Sequence, residues 1–288
     1  MNEESDDRIM RKDAGFDLSP SALYLMMMSL GRSSLDAAVF DPAKKRFVAF
    51  QHHTIFSNSG KQEYFEKVSE IIKSEELLRL TYKSVRMLWQ SQCATLVPAP
   101  LYEAGAEKNY LQFNQNLNEG DVVLSDKMRT VDAYNIFGVP AELLSVVRSL
   151  RPLMHHHASV LVEALLVLNR NNINPQQVFV NVHAGFFDLV VIEDRKLRFY
   201  NSFAFSSAED FIYFVLFVFE QLKIIPGQTT LTLSGDILKN SAIYDILYKY
   251  IRQIDFAQPI EQVRDSYILL DLPTYQYQNL FNTILCEL

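Results

Sequence analysis

A chain of 288 residues suffices for one large domain or two of ordinary size, and a composition 49% hydrophobic and 21% charged excludes a disordered polymer. A net charge of −7 argues against a dedicated nucleic-acid binder, which carries a basic excess or stripe. Two cysteines, Cys93 and Cys286, are too few for a disulfide framework and read as buried thiols of a reducing, cytoplasmic compartment.

The opening residues, MNEESDDRIMRKDAGFD, lack the apolar stretch of a signal peptide, so 1–18 is expected to be a flexible tail. A first half is expected over 19–153. It begins with apolar runs at Leu23–Met28 and Leu35–Phe40, parted by a bend at Gly31. A turn, DPAKK, in which Pro42 fixes φ, leads to a third run, Phe47–Phe50. Next, Phe65, Val68, Ile71 and Ile72 recur at helical spacing, and VRMLW (Val85–Trp89) reads as a strand. DVVLSDKMRTVDAYNIF has the pattern of a hairpin. PAELLSVVRSL predicts a helix with Pro140 at its start, and HASVLVEALLVLNRN a helix entering the second half.

That second half, 154–274, repeats the layout. Runs at Val178–Val182 and Leu189–Ile192 flank Gly185, which aligns with Gly31, and the turn EDRK leads to Leu197–Tyr200. A helix follows, SAEDFIYFVLFVFEQLK, starting at Ser206 or Ser207. TTLTLSG (Thr229–Gly235) reads as a strand, followed by a helix from about Asn240 to Arg252. Each half is therefore β-β-β-α-β, the helix carrying the chain over to a parallel fourth strand. SYILLDLP reads as a strand ended by Pro273, and a last helix over about 275–288 is expected to pack back on the first half.

Two such halves with mixed sheets resemble the actin, sugar kinase and heat-shock chaperone superfamily, a duplicated ribonuclease H-like (actin-like ATPase) α/β fold. More closely, the sequence resembles an uncharacterised Bacteroides-type family with that fold and, more distantly, the pilus and secretion-system proteins that use it as a scaffold. The resemblance implies a phosphate loop, Asp-x-Gly, at the first bend of each half and a Gly-Gly loop after a strand of the second. Here those places read Ser29-Leu30-Gly31, His183-Ala184-Gly185 and Leu233-Ser234-Gly235-Asp236. The candidate nucleotide-binding residues are thus Ser29, Gly31, His183, Gly185, Ser234, Gly235 and Asp236. The glycines would let backbone N–H groups approach phosphate. Without the acids, the usual carboxylate ligands of Mg²⁺ are missing, so neither ATP nor Mg²⁺ is the expected cofactor and no metal site is predicted.

His183 and Asp188 are the catalytic candidates, each set against a bland role as a polar residue near a strand end. Asp36 is a second relocated carboxylate, yet it lies five residues past Gly31 while Asp188 lies three past Gly185, so the two do not correspond. His155-His156-His157 read as helix-start residues rather than a metal cluster, because adjacent helical residues diverge by ~100° and no acid or cysteine stands at zinc-like spacing. His52-His53 has the same weakness. No Walker loop, G-x-S-x-G elbow, C-x-x-C pair or H-E-x-x-H helix occurs. The nine apolar residues Phe211–Phe219 fall short of the ~20 that span a bilayer. Being apolar all round, they call for cover on more than one side, from within the chain, a protein partner or a second copy. The expectation is a non-catalytic scaffold or adaptor, with a rearranged ATPase or small-molecule kinase and a nucleotide sensor as alternatives.

Overall fold

The computed structural model describes residues 8–56 and 60–286. Contacts divide the chain into two units, one of Met1–Val160, Ile260–Leu272 and Leu280–Leu288, the other of Leu161–Pro259 and Pro273–Asn279.

The first unit opens with strands β1 (Arg8–Lys12), β2 (Leu25–Leu30), β3 (Ser34–Asp41) and β4 (Arg46–Thr54), then helices α1 (Lys61–Ser74) and α2 (Glu76–Arg79). It continues through β5 (Ser84–Trp89), β6 (Ala94–Pro98), α3 (Glu107–Asn114), β7 (Asp121–Met128), β8 (Ala133–Pro140), α4 (Ala141–Val147) and β9 (Leu153–His156) into α5 (His157–Asn169). Its main sheet has the order β1-β4-β3-β2-β5-β9, and β6-β8-β7 form a second, smaller one. β2 and β3 are buried along nearly their whole length, as continuous apolar runs demand. One face packs Met26, Met28, Ala37 and Val39 against Phe65, Val68 and Ile72 of α1. On β4, the rings of Phe47 and Phe50 lie 4.9 and 5.8 Å from that of Phe281.

Residues 8–12 correct the expected tail. They form β1, paired antiparallel with β4 from Arg8↔His53 to Lys12↔Ala49, and Arg8 bonds Glu75 at 2.8 Å. The charges that make RIMRK look like tail are those of an edge strand, where Lys and Arg keep the outer rim wet. Residues 1–7 lie outside the described residues.

The second unit takes up α5 and adds β10 (Gln176–His183), β11 (Phe186–Glu193), β12 (Lys196–Ala204), α6 (Ala208–Gln221), β13 (Thr230–Gly235), α7 (Ala242–Tyr250) and β14 (Gln253–Phe256). Its order, β12-β11-β10-β13-β14, is that of β4-β3-β2-β5-β9. In both, β-β-β is antiparallel and the next strand parallel. The duplication extends to a bulge in each half, at Val39/Phe40 and at Val191/Ile192.

After β14 come α8 (Glu261–Arg264), a single 3-10 turn at Tyr267–Leu269, and α9 (Gln278–Asn282) between two further 3-10 turns. The strand expected at SYILLDLP is absent. Ile268 and Leu269 are buried in the 3-10 turn that stands in its place. Ser266 fixes the turn instead, its hydroxyl accepting from the Phe47 N–H at 2.8 Å and donating to the Gln262 carbonyl.

Helix α6 starts at Ser207, whose hydroxyl accepts from the Asp210 N–H. Phe211, Ile212, Val215, Val218 and Phe219 are buried, whereas Tyr213 and Phe217 are 63% and 44% exposed. Cover from within the chain is thus incomplete. Among the described residues no helix is long and apolar enough to cross a membrane.

Candidate functional site

Most candidate residues lie at the β2–β3 bend of the first unit and the β10–β11 bend of the second, while Ser234, Gly235 and Asp236 lie at the end of the parallel strand β13 beside β10. In the first unit β2 and β3 pair as Ser29↔Asp36 and Leu30↔Leu35, and the Gly31 N–H bonds the Ser34 carbonyl. Arg32 and Ser33 are then the two bend residues. In the second, β10 and β11 pair as Asn181↔Asp188, Val182↔Phe187 and His183↔Phe186, around Ala184 and Gly185. The register therefore matches Gly31 with His183, not with Gly185. Ser29 matches Asn181, and Asp36 matches Asp188, each carboxylate five residues beyond the bend-closing residue. The two acids occupy one and the same place in the repeat, contrary to the sequence expectation, which aligned glycine with glycine.

The parallel strands agree. The Gln90 N–H bonds the Leu30 carbonyl at 3.0 Å, and the Asp236 N–H bonds the Val182 carbonyl at 2.8 Å. Side chains tie first to fourth strand in both units: Gln90 Nε2 donates to Ser29 Oγ and Asn181 Nδ2 to Ser234 Oγ, each at 2.8 Å. Asn279 Nδ2 donates to Asn181 Oδ1. Asn181 is the site residue the sequence reading missed, because the shifted alignment put His183 in its place.

Each buried carboxylate is already engaged. Asp36 Oδ1 lies 2.6 Å from His52 Nδ1, and its Oδ2 accepts from Ser34. Asp188, fully buried, has Oδ2 2.9 Å from His183 Nε2 and Oδ1 accepting from the Tyr200 hydroxyl at 3.0 Å. Burial foremost, and the neighbouring Asp188 charge after it, raise the Tyr200 hydroxyl well above its ordinary value, so it stays a donor. The His183 ring stacks on Phe186 with centroids 4.4 Å apart. The histidine comes from the third strand in one unit and from the first in the other.

The glycines differ in kind. Gly185 and Gly235 have φ of +86° and +82°, a region that glycine enters without strain. A Cβ on Gly235 would collide with the backbone of Val182, and one on Gly31 only with the side-chain amide of Gln90.

A magnesium nucleotide, the group this class of fold implies, would meet few free carboxylates on the paired strands of either bend. The first-strand positions hold neutral Ser29 and Asn181, and the acids paired across from them, Asp36 and Asp188, are each bonded to histidine, with a hydroxyl on the second oxygen. A hard cation would have to break those bonds.

The three histidines at 155–157 do not all start a helix. His155 and His156 end β9, and only His157 opens α5. His155 and His156 join a buried polar network in the first unit that the sequence did not announce. Asp126 of β7 meets His155 Nδ1 at 2.8 Å, the His156 N–H at 2.9 Å and the Ser159 hydroxyl at 2.6 Å. Asn135 Nδ2 donates to Ser159 and reaches His156 Nδ1. Serine bonds aspartate here rather than imidazole, and Ser159 is fully buried, so this is no nucleophilic relay.

A doubled sheet of this order, with paired bends at the ends of the first strands, defines an actin-like ATPase fold of the duplicated ribonuclease H-like kind. A protein of Bacteroides thetaiotaomicron VPI-5482 with actin-like ATPase fold and unknown function is similar at a TM-score of 0.73 and 19% identity, covering 84% of this chain and 93% of that one. The structure titled "PilM-PilN type IV pilus biogenesis complex" is similar at 0.62 and 12%, covering 92% and 98%. No curated protein matches the sequence. Residues 13–254 match the family described as "Protein of unknown function (DUF3822)", and the chain belongs to that family.

Proposed function

We propose that this chain is a non-catalytic, cytoplasmic member of the actin-like fold that serves as a scaffold or adaptor, binding a protein partner or itself. The observation that carries the reading is the state of the two matched acids: Asp36 and Asp188 hold histidines, and neither first strand ends in a carboxylate. The aromatic rim of α6 supplies surface for a partner, and a pilus-complex neighbour makes protein assembly a fitting use of such a fold.

Calorimetry and thermal shift with ATP and ADP, with and without Mg²⁺, followed by phosphate release, test the reading. The expected result is no turnover and no Mg²⁺-dependent stabilisation. Turnover lost in Asp36→Asn or Asp188→Asn would replace the scaffold with a rearranged ATPase or kinase, a reading that draws on the matched placement of those acids. Binding without turnover would make the chain a nucleotide sensor, using the bends at Gly185 and Gly235.

A further inference from the structure

The five residues of β1 stand outside the repeat. β4, whose outer edge they cover, corresponds to β12 of the second unit, and among the described residues no strand pairs with the outer edge of β12. A sheet of this order therefore keeps its form without such a cover. β1 also adds little to the interior of its own unit. Arg8, Arg11 and Lys12 are exposed, Ile9 and Met10 are half-buried, and the buried members of the apolar core under α1 begin only at Tyr24.

The strand is pinned at one end and loosely tied along its length. Just past it, the Asp13 N–H bonds the Val48 carbonyl at 2.9 Å, and the Asp13 carboxylate accepts from Arg46 and from the Gly15 N–H, each at 2.8 Å. The side-chain ties of β1 itself are Arg8 to Glu75 and Lys12 to Glu76, and Arg8 and Glu76 are 55% and 58% exposed. Ion pairs wetted to that degree hold weakly.

The β4 residues beneath gain few bonds from the closed strand. Gln51, opposite Met10, is fully buried, and neither its Oε1 nor its Nε2 has a partner among the described residues. His53, opposite Arg8 and on the same face, is also buried, its Nε2 unbonded and 3.9 Å from Glu75. Buried polar groups without bonds favour an opening that lets water reach them. We propose that β1 is a strap, hinged at Asp13, that lifts from β4 when His53 takes up a proton, while the sheet beneath stays folded.

The groups facing His53 set the sign. Glu75, between α1 and α2, and Asp36 of β3 attract an imidazolium, whereas Arg8 of β1 and the adjacent His52 repel it. Burial is the largest influence, and the net effect holds the His53 pKa below 6.5 in the closed form. Lifting β1 admits water to the ring and carries Arg8 away, and both changes favour the proton. The open form is the better base. Closure is complete above 6.5 and is lost as pH falls through the closed-form value.

Hydrogen exchange of the full native chain at pH 8, 7 and 5.5, each rate divided by the intrinsic rate at that pH, tests the strap. The β1 amides should open roughly fivefold more at pH 5.5 than at pH 8, with those of β2 and β3 changing far less. In His53→Gln, or in His53→Asn should the first not fold, the response of β1 should vanish. Protection of β1 that is equal at every pH overturns the proposal. A loss that β2 and β3 share overturns it too, since the whole unit then opens together. A response undiminished in the substituted chain removes His53 as the trigger, and the proposal with it.

Discussion

Gly31 and Gly235 both stand at strand ends, and they are glycine for different reasons. At Gly235 the left-handed φ and the Val182 backbone act together, so Gly235→Ala meets strain it cannot relieve by moving a side chain. The expected cost is roughly 2–4 kcal/mol in urea denaturation. At Gly31 the obstacle is the end of Gln90, which can swing away at the expense of its bond to Ser29. Gly31→Ala should cost about 1 kcal/mol. Equal losses at both positions would contradict this distinction. The same contrast explains why aligning one glycine with another misled the sequence reading: Gly185 serves the bend's φ, Gly31 serves a neighbour's side chain, and residue identity does not separate the two. Register does, and register depends on hydrogen bonds that a single sequence does not display. Asp126 was illegible for a related reason, since its partners lie about thirty residues ahead in β9 and α5.

At the scale of elements, the continuous apolar runs were legible because a strand buried on both faces needs no alternation to be recognised. β1 was not, since its fitness lies in what it covers. That seam carries a pH dependence. His53 of β4 is buried beside Glu75, 3.9 Å away, and Arg8 of β1 bonds the same carboxylate. Burial is the largest influence on His53 and lowers its pKa below 6.5, Glu75 opposing and Arg8 adding to the shift. The unfolded chain then binds the proton more readily than the folded one. The stability that neutral His53 allows is complete above 6.5 and is lost as pH falls through the folded value. Urea melts between about pH 5 and pH 8 should show this slope in the native chain and a flatter one in His53→Gln. A slope that survives the substitution would assign it to another group.

At the scale of the whole molecule, the order of the chain matters more than its two units suggest. The first unit is laid down through Val160, yet it is completed only by Ile260–Leu272 and Leu280–Leu288. Those last segments supply Phe281 against Phe47 and Phe50, the Ser266 hydroxyl for the Phe47 N–H, and carbonyls of Thr283 and Cys286 for Arg86. Ile268, Leu269, Leu280 and Phe281 are buried, and at ~1.5–3 kcal/mol for each such side chain their removal rivals the ~5–15 kcal/mol that holds a domain folded. The second unit depends less on the end of the chain, drawing from it the Asn279 bond to Asn181 and the Tyr275 ring against Phe256. A chain ended after Pro259 should therefore lose its first-formed sheet. Hydrogen exchange should find the amides of β2, β3 and β5 open while those of β10, β11 and β13 keep most of their protection. Protection retained across β2–β5 would mean that the closing segments only decorate a sheet already stable without them.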